Sequence, residues 1–449
     1  MKQKITLLGM LLLGCSVFGQ TNPIITKWLQ NTTGITGRHY VSGNSTPIVD
    51  AVLANVQTVQ YSANWVYVIT NGIPAYITGP FLDGNPSLAT SQGGAIFKLS
   101  LNPTQNTGSA TATTGGNIGL FKNGVALFDY RDGVSWRNSS SSLCGGPINP
   151  PCMGDGKWNR DAVVGERLGF DCSKAHPAMG NYHHHQNPSA FGLDINVIST
   201  VCSTYPSDGL YVINPNEHSP LIGFAYDGYP IYGAYAYANT NGTGGIVRMK
   251  SGYQYRNIST RTVWADGTDV LDGPAVSATY PLGYFREDYE FISRPTDPSY
   301  LDDHNGRFCV TPEYPNGIYC YFATVDANHN SAYPYVVGPT FYGNKTATKV
   351  TSINEAVTTL GTTSYNNFNF NITIAPNPAQ DFIAIQTQTA ENNLKVELID
   401  ELGKLVKTSE ILQGSTLSII ETDTVYNGLY FLRISNNKDS KTFKVIIEK

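Results

Sequence analysis

Charge is what this sequence has least of. Asp, Glu, Lys and Arg make up 14% of its 449 residues, against about 25% in ordinary globular chains. The 29 basic and 34 acidic residues form no block or stripe, and the net charge is −5. A nucleic-acid surface needs a concentrated basic footprint, so no nucleic-acid partner is expected. Long apolar runs are also missing. After the N-terminus nothing approaches the roughly 18 consecutive apolar residues of a membrane-spanning helix, so no integral membrane segment is expected once the leader is gone. No stretch keeps a 3.6-residue apolar period. HExxH, G-x-S-x-G, a P-loop and G-x-G-x-x-G do not occur, which removes the common marks of zinc peptidases, serine hydrolases and nucleotide enzymes. There is no CxxC, so a thiolate zinc knuckle is not expected. Histidine is scarce, with 8 in the chain, yet three stand together in "GNYHHHQNP" at 180–188.

Tyr (28), Gly (44) and Pro (25) are plentiful. Tyrosine and threonine favour strands, while Gly, Pro and Asn favour turns. The expected fold is all-β: a large irregular β-rich body built from hairpins, then a small C-terminal β-sandwich. The length exceeds what a single core supports, so more than one domain is expected.

The start, "MKQKITLLGMLLLGCSVFGQ", reads as a signal peptide over 1–19. Lys2 and Lys4 form its charged end, Ile5 to Leu13 its short apolar core, and Val17 and Gly19 a cleavage site before Gln20. The chain is therefore expected to pass the periplasm and become secreted or attached to the cell surface. "LLGC" at 12–15 also matches a lipobox ending at Cys15, which would anchor the chain by a lipid; the C-terminus argues against that. Six further cysteines, Cys144, Cys152, Cys172, Cys202, Cys309 and Cys320, are disulfide candidates in an exported chain. The near pairs Cys144–Cys152 and Cys309–Cys320 are the simplest expectation.

Residues 20–345 form one aromatic, Gly-rich body. Residues 346–370 are Thr- and Asn-rich with almost no charge and read as a linker. From 371 to 449 lysines and glutamates return, cysteine vanishes, and alternating runs such as "FIAIQTQ", "LKVELID" and "TFKVIIEK" are split by turn signals, as in a β-sandwich module. Within the body a weak repeat stands out. "IGLFKNGVALF" from Ile118 aligns with "IGFAYDGYPIY" from Ile222, and "TNGIPAY" begins at Thr70. Asn-Gly and Asp-Gly between apolar runs predict hairpins with type I′ turns.

The tail segments "IAPNPAQDFIAI", "VELIDELGKLVKT" and "NGLYFLRIS…KTFKVIIEK" resemble the type A C-terminal sorting domain of the type IX secretion system. That resemblance implies the type IX machinery as a partner through residues 371–449, with export across the outer membrane. The body segments "WNRDAV" from Trp158, "CSKAHPAMGNYHHHQNP" from Cys172, "HSPLIGFAYDGYPIYGAY" from His218 and the long stretch from Leu301 resemble the YHYH-domain family. The family's second motif tyrosine is His184 here, and its two histidines fall on His183 and His185. The resemblance names the domain and carries no reaction with it.

Read as a strand, "NYHHHQN" puts His183 and His185 on one face and Tyr182, His184 and Gln186 on the other. A His-x-His face sets two imidazoles about 7 Å apart at Cα, close enough to share one metal ion. Zinc or copper suits such a site best. A third ligand must come from elsewhere, and His304, His176 and His218, all in family-matching segments, are the candidates. Asp227 and Asp302 are candidate carboxylate ligands, or partners that fix an imidazole's tautomer. Arg307 can hold a carboxylate or phosphate bidentately or bond buried carbonyls. Tyr182 stands as a substrate or packing residue. "DANHN" at 326–330 starts like a calcium loop but lacks its glycine and closing glutamate, so a turn is expected. Two functions stay open: a metal-binding protein, with hydrolytic or oxidative chemistry if the metal keeps an open position, and a non-catalytic glycan- or protein-binding module presenting Tyr229, Tyr232, Tyr235 and Tyr237.

Overall fold

The computed structural model describes residues 22–82, 93–146, 152–178, 180–196, 199–360, 372–390, 393–400, 404–436 and 440–449. The signal peptide and Cys15 lie outside them. The chain divides into two compact units, residues 1–360 and 361–449. Among the described residues helix is confined to single turns and strands predominate, so the fold is all-β.

The body centres on an eight-stranded sheet. Its strands are β1 (Asn117–Phe121), β2 (Ala126–Phe128), β3 (Ala175–Ala178), β4 (Asn181–His184), β5 (Leu221–Ala225), β6 (Pro230–Tyr232), β7 (Gly306–Cys309) and β8 (Ile318–Phe322). They lie in the order β3-β4-β2-β1-β5-β6-β8-β7. One core cluster joins Leu120, Phe121, Ile222 and Phe224 of this sheet to Val59, Val66, Val68 and Phe97 of a five-stranded sheet. Along Ala95–Ser100, the strand of Phe97, buried and partly buried residues alternate, as a sheet with one buried face requires.

Both long repeats form hairpins, β1–β2 and β5–β6, and they pair with each other through β1 and β5. Their turns are not type I′. Gly124 and Gly228 take positive φ (81° and 90°), while Asn123 and Asp227 do not. The Asx side chains instead brace the turn, accepting from Val125 N at 3.1 Å and Tyr229 N at 3.3 Å. "TNGIPAY" makes no hairpin. Thr70 ends a strand paired to Val56 and Ala95, and the chain then leaves that sheet.

The two halves of the large sheet share one plan. In each, an outer strand runs parallel to the hairpin's second strand, with His183 opposite Ala126 and Tyr321 opposite Ile231. An antiparallel edge strand follows, pairing His176 with His183 in one half and Arg307 with Cys320 in the other. The approach to the edge strand repeats as well. Asp171 Oδ1 accepts from Ser173 N and Ala175 N, and Asp302 Oδ1 from His304 N and Gly306 N. Tyr182 and Tyr319 donate their hydroxyls to these two carboxylates. Lys174 and Asn305 both take positive φ, 64° and 65°. His176, His183 and His184 thus have Arg307, Cys320 and Tyr321 as their counterparts.

Two expectations are corrected. Thr348–Val350 and Thr358–Thr359, placed in the linker by composition, are the outer strands of the five-stranded sheet. A Thr-rich stretch of low charge suits an edge strand as well as a linker. Cys144–Cys152 and Cys172–Cys202 are disulfides, whereas Cys309 and Cys320 are buried free thiols. In the β7–β8 ladder Cys309 faces Ile318 and Cys320 faces Arg307, so the two sulfurs meet diagonally. Their hydrogen bond lowers the Cys309 thiol to about 7.

Unit 2 has a three-stranded and a four-stranded sheet around one core that includes Ile383, Ile385, Val396, Leu398, Leu432 and Val445.

Candidate metal centre

Strand alternation and register build the site. In the β3–β4 hairpin His176 sits opposite His183, so their side chains share a face, and His185 follows two residues on. Gly180, at φ 80°, lets the turn between the strands close. The fourth member comes from the one-turn helix α1, Ala162–Gly165. Asp161 caps its start by accepting from Val163 N at 2.8 Å, and Glu166 closes its end with N–H to Ala162 O at 2.8 Å. Glu166, His176, His183 and His185 each offer one ligand atom, all within 4.8 Å of one another.

The distances define a small cage. His183 Nε2 lies 3.0 Å from His185 Nε2, and Glu166 Oε2 lies 2.9 Å from His176 Nε2 and 3.1 Å from His185 Nε2. Metal bonds of about 2.0–2.2 Å place tetrahedral donors about 3.3–3.6 Å apart, so a small adjustment would seat an ion. The tautomers are fixed from behind. His183 Nδ1 is 2.7 Å from Asn181 O, and His185 Nδ1 is 2.6 Å from Asp129 O. A carbonyl only accepts, so each Nδ1 carries a proton and each Nε2 is left to face the cage. Phe128 stacks on His183 with centroids 3.8 Å apart, and Phe170 meets His176 edge-on at 5.0 Å.

The electrostatics follow from this enclosure. Burial, then the nearby His185 and His176, pushes the His183 imidazole well below its usual range, so it is neutral. Burial works to raise the Glu166 carboxyl, but His185 and His176 overcome it and hold the group below the usual carboxylate range. Glu166 is the one member solvent reaches, its side chain 20% exposed against 3% for His185.

The opposite face of β4 is structural. His184 Nε2 meets the Tyr76 hydroxyl at 2.9 Å, and burial lowers this imidazole to about 3. Tyr182 is fully buried and donates to Asp171 Oδ2 at 2.9 Å.

Of the residues singled out in the sequence, His176, His183 and His185 come together. His218 and His304 do not join them: His218 Nδ1 contacts Ser219 O at 2.8 Å, and His304 Nδ1 contacts Thr340 Oγ1 at 2.8 Å. Asp227 accepts from the Tyr321 hydroxyl and Gly343 N, and Asp302 from Tyr319. The Arg307 guanidinium bonds the carbonyls of Pro298, Tyr237 and Ala238. These last groups belong to the second half of the sheet. Tyr229, Tyr232 and Tyr235 are buried in the core and Tyr237 is partly buried, so they form no exposed aromatic face. Asp326 ties its loop as a turn, accepting from Asn328 N and Asn330 N. Glu166 was not foreseen. Its only sequence signal is an acidic residue just after the family-like "WNRDAV" segment in a chain poor in charge.

No curated protein matches the chain. Residues 373–448 match the model of the secretion system C-terminal sorting domain, so the chain is exported by the type IX system to the cell surface or the medium. Residues 96–334, more than half of the chain, match the model described as YHYH protein and contain all four residues of the cluster. The chain belongs to the YHYH protein family.

Proposed function

We propose that the exported body binds one divalent transition-metal ion through His176, His183, His185 and Glu166. One observation carries this reading: two imidazole Nε2 atoms stand 3.0 Å apart with both Nδ1 protons committed to carbonyls. Two lone pairs repel, so the pair needs a cation between them, either a metal ion or a proton. Burial disfavours the proton on His183. Three imidazoles and one carboxylate suit zinc or copper. Bound there, the metal would supply Lewis acidity, or redox chemistry if it is copper. The chain's own contribution is orientation by Asn181 O and Asp129 O, water exclusion by Phe128 and Phe170, and a solvent-reached carboxylate at Glu166. The chain reaches the outside through the periplasm, after signal-peptide removal.

Elemental analysis of the purified chain tests this, beside a His183→Ala, His185→Ala double variant. Near one equivalent of metal is expected in the parent and none in the double variant. A parent that stays empty after incubation with zinc and copper would mean that a shared proton holds the cluster together, and the metal reading would fall.

A further inference from the structure

We propose that the cavity beside α1 binds a neutral sugar ring. The cavity holds about 330 Å³, at the lower end of the roughly 300–1,000 Å³ typical of small-molecule sites. Its wall includes Val163 and Val164 of α1, Gln186, Tyr255, Tyr289 and Ser331. The helix turn that presents Glu166 to the metal cluster therefore also lines the cavity, and Gln186 directly follows His185.

Gln186 points to a ligand. It is fully buried, and neither its Oε1 nor its Nε2 has a hydrogen-bond partner. The Ser331 hydroxyl is unpartnered too. Buried polar atoms are nearly always bonded, and a primary amide missing both its donor and its acceptor contacts is costly. Two adjacent ring hydroxyls match that amide: one donates to Oε1 while its neighbour accepts from Nε2. The aromatic wall supplies the other half of sugar recognition. The Tyr255 and Tyr289 rings lie 4.9 Å apart at 35°, and Tyr255 is 54% exposed. Such a ring covers the C–H face of a pyranose while its hydroxyl stays wet. Charge argues for a neutral ligand. Among the described lining residues the charged ones are Arg167 and Asp194, of opposite sign, and Asp194 is already paired with Lys174.

Sugar binding stands without the metal; only the further step, that the sugar is the metal centre's substrate, rests on the function proposed above. The test uses the full exported chain, once metal-loaded and once chelator-treated. Saturation-transfer NMR is run with glucose, galactose, xylose and N-acetylglucosamine as probes. At least one sugar is expected to bind in both forms with a millimolar Kd. Gln186→Ala should abolish the signal, and Tyr255→Ala should weaken binding about tenfold. Tyr255 is a half-exposed ring outside the cluster, so its variant should keep both fold and metal content. No transfer to any of the four sugars, or binding untouched by Tyr255→Ala in a folded protein, would overturn the proposal. A chain that holds no metal yet binds a sugar would sink the metal reading alone; a metal-loaded chain that binds none of the four would sink the sugar reading alone.

Discussion

Glu166 differs from the three imidazoles in what it brings to the cluster. The histidines are held from behind by main-chain carbonyls or by packing, so their geometry is set before any ion arrives. Glu166 supplies the one negative charge, and its position depends on a single capped helix turn. Glu166→Gln keeps the side chain's shape and removes that charge. A neutral amide oxygen is a weaker donor to a dication, and it no longer offsets the charge of the ion. Metal affinity is therefore expected to fall by at least about tenfold, on the scale of losses seen when a metal site's supporting groups are removed. The thermal midpoint of the metal-free protein at neutral pH should fall as well, since His185 and His176 hold the Glu166 carboxyl below its usual range and its ionised form therefore stabilises the fold. A chelator-competition titration reads the first quantity and a melt of the stripped protein the second. Unchanged affinity would remove Glu166 from the ligand set.

The repeated half-sheet makes a prediction at the level of the element. In the second half Tyr321 donates its hydroxyl to Asp227 at 2.5 Å. In the first half the corresponding positions are His184 and Asn123, and the hydroxyl comes from Tyr76, which contacts His184 at 2.9 Å and also bonds Asn123. Tyr76 thus fills the place that the motif tyrosine would occupy. His184→Tyr restores the family residue but drives a second hydroxyl into that space, and overpacking of this kind costs about 1–3 kcal/mol. Trimming Tyr76 to Ala should hurt less in the His184→Tyr background than in the parent, with a coupling of about 1 kcal/mol in denaturant melts. Additive effects would refute the correspondence. Metal content should stay at the parental level, because His184 lies on the opposite face from the ligands. The same repeat explains what the sequence could and could not reveal. Period-two alternation is local, so the shared face of His183 and His185 was legible. Strand pairing is not local, yet His176 came within reach because it lies seven residues from His183 across one tight turn. Glu166 arrives on a helix of one turn, too short to leave any periodicity. Asp302 and Arg307 stand beside His304 in the sequence, and in the fold they occupy the positions of Asp171 and His176, but their half spends the same places on bonds to its own tyrosine and carbonyls. The edges of the five-stranded sheet escape composition for a similar reason: Thr348, Thr358 and Thr359 pair with strands more than two hundred residues away, and composition cannot register that.

At the scale of the whole molecule, a chain poor in charge has buried several of the acids it does carry. Burial raises Asp161 to about 8, Asp171 to about 7 and Asp227 to about 6, from an ordinary value of 3.8. Each carboxyl is protonated in the folded state over a pH range in which the unfolded chain has already released that proton. Its contribution is therefore fully present below about pH 4 and is lost as pH rises through the folded value, with a slope of about 1.4 kcal/mol per pH unit for each group. The buried histidines act in the other direction. His184, lowered to about 3 from 6.5, contributes stability that is present above about 6.5 and lost as pH falls toward 3. Between pH 4 and 6.5 the two trends oppose each other. Above 6.5 these acids still lower stability as pH rises, while the lowered Cys309 thiol and Lys174 ammonium act the other way, so the acids' part is read as the difference between the parent and a variant that lacks one of them. Asp161 has the highest value of the three and governs the upper end of the window from pH 6.5 to about 8.5. Asp161→Asn removes the proton exchange while still capping α1 and still accepting from the Tyr335 hydroxyl. Its unfolding midpoint should therefore rise relative to that of the parent between pH 6.5 and 8.5, in scans of the metal-free chain at constant ionic strength. An Asp161→Asn midpoint that follows the parent's slope across that window would show that Asp161 is ionised in the fold and that the surrounding hydroxyls and amides solvate it in place of water.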